Sequence, residues 1–173
     1  MTLNRILMAG VGGQGILFIG KLLANAAVRE VAHVTFIPSY GAEVRGGPSS
    51  CQITLSDTEI SSPVAERFDA MILMHHDGVS RYLTQLARGG MAVINSSLSP
   101  VEPAPNRRLV PATERAEALG DGRGAGMILL GVLLKSRQVM TPAGVEATLR
   151  QMSGMKAAVL ESNLAAFRAG LDA

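Results

Sequence analysis

Tryptophan is absent from this chain, and tyrosine and phenylalanine together make up only 3% of it. With two Tyr and four Phe there is no aromatic platform on which bases could stack. A basic tract is missing as well. Sixteen Lys and Arg stand against fourteen Asp and Glu, a formal charge of +2, and Asn106-Arg107-Arg108 is too short to follow a phosphate backbone. Nucleic acid is therefore excluded as a partner. Cysteine occurs once, at Cys51, so no internal disulfide can form. One thiolate cannot hold an iron–sulfur cluster either, since a cluster takes about four. No spacing of His or carboxylate residues suggests a metal site. The adjacent His75-His76 is expected at a strand end, where neighbours point to opposite faces and cannot clamp one ion. Missing too are a charged-apolar-small leader at Met1-Thr2-Leu3-Asn4 and an apolar run long enough to span a bilayer. A cytoplasmic protein with no membrane partner is expected.

What the chain does hold is aliphatic. Hydrophobic residues make up 47% of the 173, so the core must be built from Leu, Ile, Val, Ala and Met. The nine methionines read as core or subunit interface rather than as metal ligands. The length suits a single domain over residues 1–173.

The organising stretch is Gly10-Val11-Gly12-Gly13-Gln14-Gly15, between the apolar run Ile6-Leu7-Met8-Ala9 and a long apolar segment from Ile16. Strand, glycine turn and helix follow from that order, the glycines permitting a tight turn and close packing. Gly10, Gly12 and Gly15 satisfy the G-x-G-x-x-G template of dinucleotide sites. That template also wants an acid at the tip of the second strand. Here the second strand runs into Ile37-Pro38-Ser39, and Glu30 falls at the end of the helix, facing away. Three readings stay open: a dinucleotide site, a tight turn without ligand, and a turn shaped to meet another subunit or its substrate.

Further along, Ile16 to Glu30 is predicted as a helix and His33 to Ile37 as a strand that Pro38 ends. Ser39-Tyr40-Gly41-Ala42-Glu43-Val44-Arg45-Gly46-Gly47-Pro48 is a glycine-rich loop. Gly46-Gly47 leaves the Arg45 guanidinium without bulky neighbours, free to meet an anion or a partner's carboxylate in bidentate fashion. A local Glu43–Arg45 pair on a solvated loop is the alternative. Ser50 to Leu55 alternates as a half-buried strand, with Cys51 a small buried residue rather than a nucleophile, and Ile60 to Pro63 is expected to pair back briefly as an edge hairpin. Phe68 to Met74 is a buried strand, Asp77 to Ala87 a helix closed by Gly89-Gly90, and Met91 to Asn95 a strand. Leu109 to Ala112 is a short last strand, and Thr113 caps a helix to Leu119. Helices over Gly124–Ser136, from Thr141-Pro142 to Met152, and over Lys156–Ala169 complete an α/β fold. The expected architecture is a three-layer, Rossmann-like domain with a mostly parallel sheet, a hairpin insertion and C-terminal helices.

Gly10 to Gly15, followed by Gly20-Lys21 and Leu23-Ala24, resembles the opening of the gamma subunit of 2-oxoacid:ferredoxin oxidoreductases. Pro38 to Gly47 is similar to that family's second signature. Ser56-Asp57…Ile60…Ser62-Pro63, Val110-Pro111-Ala112-Thr113, Leu130-Gly131 and Asn163…Ala166-Phe167…Gly170 extend the likeness over nearly the whole chain. The resemblance implies a subunit, inactive alone, of an enzyme that oxidatively decarboxylates a 2-oxoacid to an acyl-CoA. Thiamine diphosphate, Mg2+ and [4Fe-4S] clusters would sit in alpha, beta and ferredoxin-like delta subunits, with ferredoxin or another acceptor receiving electrons. This chain would hold no cofactor or metal and supply no catalytic residue. It would line the path of substrate and coenzyme A, or the subunit interface, with Gly10, Gly12, Gly13, Gln14, Gly15, Tyr40, Glu43, Arg45, Gly46 and Gly47. Departures from the family pattern are Gly124-Ala125-Gly126 and His75-His76-Asp77, where many members carry Asn. Tyr40-Gly41…Glu43 looks closer to 2-oxoglutarate, pyruvate or branched-chain enzymes, while indolepyruvate enzymes more often have His for the Tyr. A gamma-like subunit of an arylglyoxylate or indolepyruvate enzyme, a free-standing NAD(P)-binding oxidoreductase and a non-catalytic module are the rival expectations.

Overall fold

A computed structural model describes residues 3–41, 47–152 and 154–173. In chain order come β1 (Leu3–Val11), α1 (Ile16–Ala27), β2 (His33–Tyr40), β3 (Pro48–Ser56), β4 (Phe68–Leu73) and α2 (His76–Tyr82). β5 (Leu86–Asn95), β6 (Arg107–Val110), α3 (Ala112–Ala118), α4 (Ala125–Ser136), α5 (Pro142–Gln151) and α6 (Ala157–Leu171) follow. Among the described residues the strands form one six-stranded sheet, ordered β2-β3-β1-β4-β5-β6. β1, β4, β5 and β6 are parallel, and β3 is antiparallel to both β1 and β2. All strands but β3 therefore point the same way.

The central strands are apolar on consecutive residues because both faces are covered. Ile6, Met8, Ala70 and Ile72 face a layer that includes α1 and α4, whereas Leu7, Ala9, Met71 and Leu73 face the other. α4 is buried at every residue from Ala125 to Leu134, which is why its sequence is apolar all round. It lies against α6 at a glycine contact. A Cβ on Gly131 would come within 2.3 Å of the Phe167 carbonyl oxygen. Thr141 caps α5 as expected, its side chain accepting from Gly144 N. No helix among the described residues is long and apolar enough to cross a membrane.

Several local expectations are corrected. The antiparallel hairpin is β2–β3, and β3 lies inside the sheet between β1 and β2 rather than at the edge. Residues 60–63 form no strand. Pro38 does not end β2, which continues to Tyr40, because β2 is an edge strand and edges tolerate proline. α1 stops at Ala27, before Glu30. α2 stops at Tyr82, so Gly89-Gly90 is not a helix cap but part of β5. Gly89 has φ +76°, and a Cβ on Gly90 would stand 2.9 Å from the Ala87 carbonyl and 3.1 Å from that of Asp69. The pair serves a register shift at which Phe68 faces Leu86 and Ala70 faces Met91. The last strand runs over Arg107–Val110. Pro111, not Thr113, is the N-cap of α3. Thr113 Oγ1 instead accepts from Asn95 Nδ2 at 2.9 Å, while Asn95 Oδ1 accepts from Ala112 N at 3.1 Å. Wholly buried, Asn95 thereby ties the end of β5 to the start of α3.

Candidate functional site

The glycine turn closes on the protein itself. Gln14 Oε1 accepts from Val11 N at 2.9 Å, and Gly12 N donates to the Gly47 carbonyl at 2.9 Å. A Cβ at Gly10 would lie 2.5 Å from Gln14 Oε1, so Gly10 makes the room into which Gln14 folds. Gly13 and Gly15 hold φ of +94° and +73°, a region that glycine enters without strain.

This geometry does not suit a dinucleotide. A diphosphate needs free amides at the turn, and the ribose needs an acid on a second strand beside the first. Here β3 separates β1 from β2, pairing Ser49 with Gly10 and Pro48 with Val11. Glu30 is engaged elsewhere, accepting from Thr141 N at 2.8 Å at the start of α5.

The two glycine stretches come together. Besides the Gly12–Gly47 bond, Gly41 N donates to the Pro48 carbonyl at 3.0 Å and closes the β2–β3 hairpin. Both ends of the second stretch are thus held beside the first. Glu43, Arg45 and Gly46 lie outside the described residues.

Next to this junction, on the sheet face opposite α1, a cleft of about 400 Å³ opens between the ends of β1, β2 and β3 and helix α2. Gly10 and Tyr40 line it, and Tyr40 is 74% exposed. Gly13, Gln14 and Gly15 do not line it. α2 sits close on β1 because Gly78 has no side chain, a Cβ there being 3.3 Å from Ala9 Cβ. That seating brings in residues that sequence reasoning missed. Tyr82 Oη lies 3.4 Å from Ser50 Oγ, and Arg81 Cζ stands 5.3 Å from the Tyr82 ring centre. Arg81 has no ion pair among the described residues. The available signal was its place on the helix after a parallel strand, where ligands gather in open α/β sheets.

Two further residues were singled out in the sequence. Cys51 is fully buried on β3, and burial pushes its thiol up to about 12, which suits a small core residue and not a nucleophile. His75 and His76 are not strand neighbours, because β4 ends at Leu73. Their rings lie 4.2 Å apart, against the expectation that they face opposite ways.

The fold and the site together define a Rossmann-like α/β protein whose glycine turn is sealed by an inserted antiparallel strand. Residues 5–173 match the pyruvate ferredoxin/flavodoxin oxidoreductase family, and the chain belongs to that family. It is 34% identical over 131 residues to the ketoisovalerate oxidoreductase subunit VorA of Methanothermobacter thermautotrophicus. That alignment covers 75% of this chain but only 28% of VorA, so the chain spans little more than a quarter of that relative. With the 2-oxoglutarate synthase subunit KorC of the same organism it shares 30% identity over 179 residues, covering 98% of this chain and 94% of KorC. Among solved structures, the gamma subunit of a keto/oxoacid ferredoxin oxidoreductase from Geobacter sulfurreducens has the same fold. Its TM-score is 0.80 at 23% identity, over 99% of this chain and 96% of that one.

Proposed function

We propose that this chain is the gamma-type subunit of a multi-subunit 2-oxoacid:ferredoxin oxidoreductase, an enzyme that oxidatively decarboxylates a 2-oxoacid and transfers the acyl group to coenzyme A. The observation that carries this reading is the family membership, together with a correspondence to KorC over nearly the full length of both chains. Thiamine diphosphate, Mg2+ and [4Fe-4S] clusters belong to partner subunits of alpha, beta and delta type. This chain's residues do not fit those groups: one buried cysteine cannot ligate a cluster, and the amides of Val11 and Gly12 are already engaged. Its own part is to pack on the other subunits and border the substrate and coenzyme A path, in the cytoplasm, as a single domain.

Within that role the joined glycine stretches and the cleft are the functional surface, and Arg45, from the sequence of the second stretch, is the cation proposed to serve it. A guanidinium stays charged at any working pH and can hold a carboxylate or phosphate by two bonds. Such a charge-assisted bond contributes about 1.5–3 kcal/mol. Arg45→Ala should leave the chain folded and lower turnover or subunit binding roughly ten- to a hundredfold, with Arg45→Lys recovering part. The test is purification from the native source, followed by kinetics and co-purification of reconstituted complexes. Constant stoichiometry with thiamine- and cluster-bearing chains is expected. Purification free of such chains, or micromolar binding of a nicotinamide nucleotide by the isolated chain, would overturn the proposal. Both Arg45 variants assembling and turning over like wild type would remove Arg45 from it.

A further inference from the structure

We propose that His75, His76 and Asp77 form a binding site for a divalent transition-metal ion of the zinc, nickel or cobalt kind, at the rim of the cleft. The chain leaves β4 at Leu73, and His75 has extended backbone (φ −143°, ψ 155°) as the N-cap of α2. His76 and Asp77 already belong to the helix. This change of backbone between adjacent residues brings together side chains that a strand would separate. The two rings lie 4.2 Å apart, tilted by 42°.

Each residue offers one ligand atom, a ring nitrogen or a carboxylate oxygen, and all three lie within 4.8 Å of one another. His76 Nε2 stands 2.9 Å from Asp77 Oδ1, and His75 Nδ1 stands 3.3 Å from Asp77 Oδ2. Zinc bonds of about 2.0–2.2 Å in tetrahedral geometry set donor atoms roughly 3.3–3.6 Å apart. The trio therefore needs only side-chain rotation to close on an ion, and His76 and Asp77 are exposed enough to rotate. The backbone bond from Asp77 N to His75 Nδ1 is long at 3.4 Å and yields readily, and the ion would replace the protons shared between the rings and the Asp77 carboxylate. Two imidazoles with one carboxylate suit zinc, nickel, copper or cobalt rather than magnesium or calcium. Three protein ligands leave at least one position for water or an outside oxygen ligand. Asp77 lines the cleft together with Arg81, so a bound ion adds positive charge to the rim that Arg81 occupies.

The experiment uses the tag-free full chain, stripped with a chelator, then titrated with zinc chloride by calorimetry and with cobalt chloride by visible absorption. One Zn2+ per chain at micromolar affinity is expected, with cobalt bands typical of low coordination. His76→Asn and Asp77→Asn should each weaken binding about tenfold or more, with far-UV circular dichroism unchanged. His33→Asn, which alters the remaining histidine of the three, should bind as wild type does. Absence of saturable one-to-one binding would overturn the site. So would His76→Asn and Asp77→Asn binding zinc as tightly as the wild-type chain.

Discussion

Replacing Gly20 with alanine should destabilise the chain, and removing the sulfur of Cys51 should cancel most of that loss. Gly20 sits in α1 where the helix crosses β3. A Cβ there would lie 2.3 Å from Cys51 Sγ, 3.2 Å from Phe36 Cε2 and 3.6 Å from Ile53 Cδ1. Only the first distance is prohibitive. The helix itself favours alanine by about 0.8–1 kcal/mol, whereas overpacking a closed site costs about 1–3 kcal/mol. The 2.3 Å approach to Cys51 Sγ puts this site at the upper end of that range, so Gly20→Ala should lose about 1–2 kcal/mol net. Cys51→Ala alone removes a buried thiol and should cost about 1–2 kcal/mol. In the double variant the new methyl occupies the space the sulfur left, and the helix preference survives. Its stability should come within about 1 kcal/mol of wild type, a favourable coupling of about 1–3 kcal/mol. The assay is urea unfolding of the four proteins at one protein concentration. Far-UV circular dichroism is the probe, since the chain has no tryptophan to report by fluorescence. Losses that add within about 0.5 kcal/mol would refute the reasoning. So would a Gly20→Ala variant as stable as wild type.

Alkaline stability should carry a Cys51 component. Burial raises the thiol from 9.0 to about 12, so the unfolded chain gives up a proton that the folded chain keeps. The stabilisation is complete below about pH 9 and is lost as pH rises from there toward 12, and unfolding of Cys51→Ala across that range should lack this share of the fall. Asn95→Ala should cost about 2–3 kcal/mol, because it strips partners from the Ala112 amide and Thr113 hydroxyl, and a lowered thermal midpoint would show it. Expressed alone, the chain should self-associate in sedimentation through apolar residues such as Val28, Val64 and Leu119, which are 65%, 62% and 52% exposed. A strictly monomeric chain would count against a subunit role.

Where a signal was local, it could be read in the sequence. Thr141-Pro142 marks the start of α5 because the capping hydroxyl and the missing amide both act within one turn. The alternation around Cys51 marks a strand for the same kind of reason, but not a half-buried one, since Ser50, Thr54 and Ser56 on its other face are buried too. Signals that depend on distant partners were not legible. β3 has the pattern of a strand in any sheet, but its position between β1 and β2 is set by pairing from Leu3–Ser56 to Val11–Pro48, which no short window contains. Gly89-Gly90 looks like a helix end until the register of β5 against β4 is known. Arg81 and Tyr82 became part of the site only once Gly78 had seated α2 on Ala9.

The sealed turn shows why a glycine template describes backbone rather than ligand. Gly10, Gly12 and Gly15 have the spacing of a nucleotide turn because strand and helix must meet closely, and that need exists with or without a phosphate. What decides the ligand is the strand next door. In a dinucleotide fold that neighbour runs parallel and leaves the turn open to solvent. Here β3 runs antiparallel up to Val11, and the Gly47 carbonyl takes the Gly12 amide. The same bond that closes the turn anchors one end of the second glycine stretch beside the cleft, and the Gly41–Pro48 bond anchors the other. The inserted strand thus closes the turn that a dinucleotide fold leaves open, and the same pairing fixes Gly41 and Gly47 at its side.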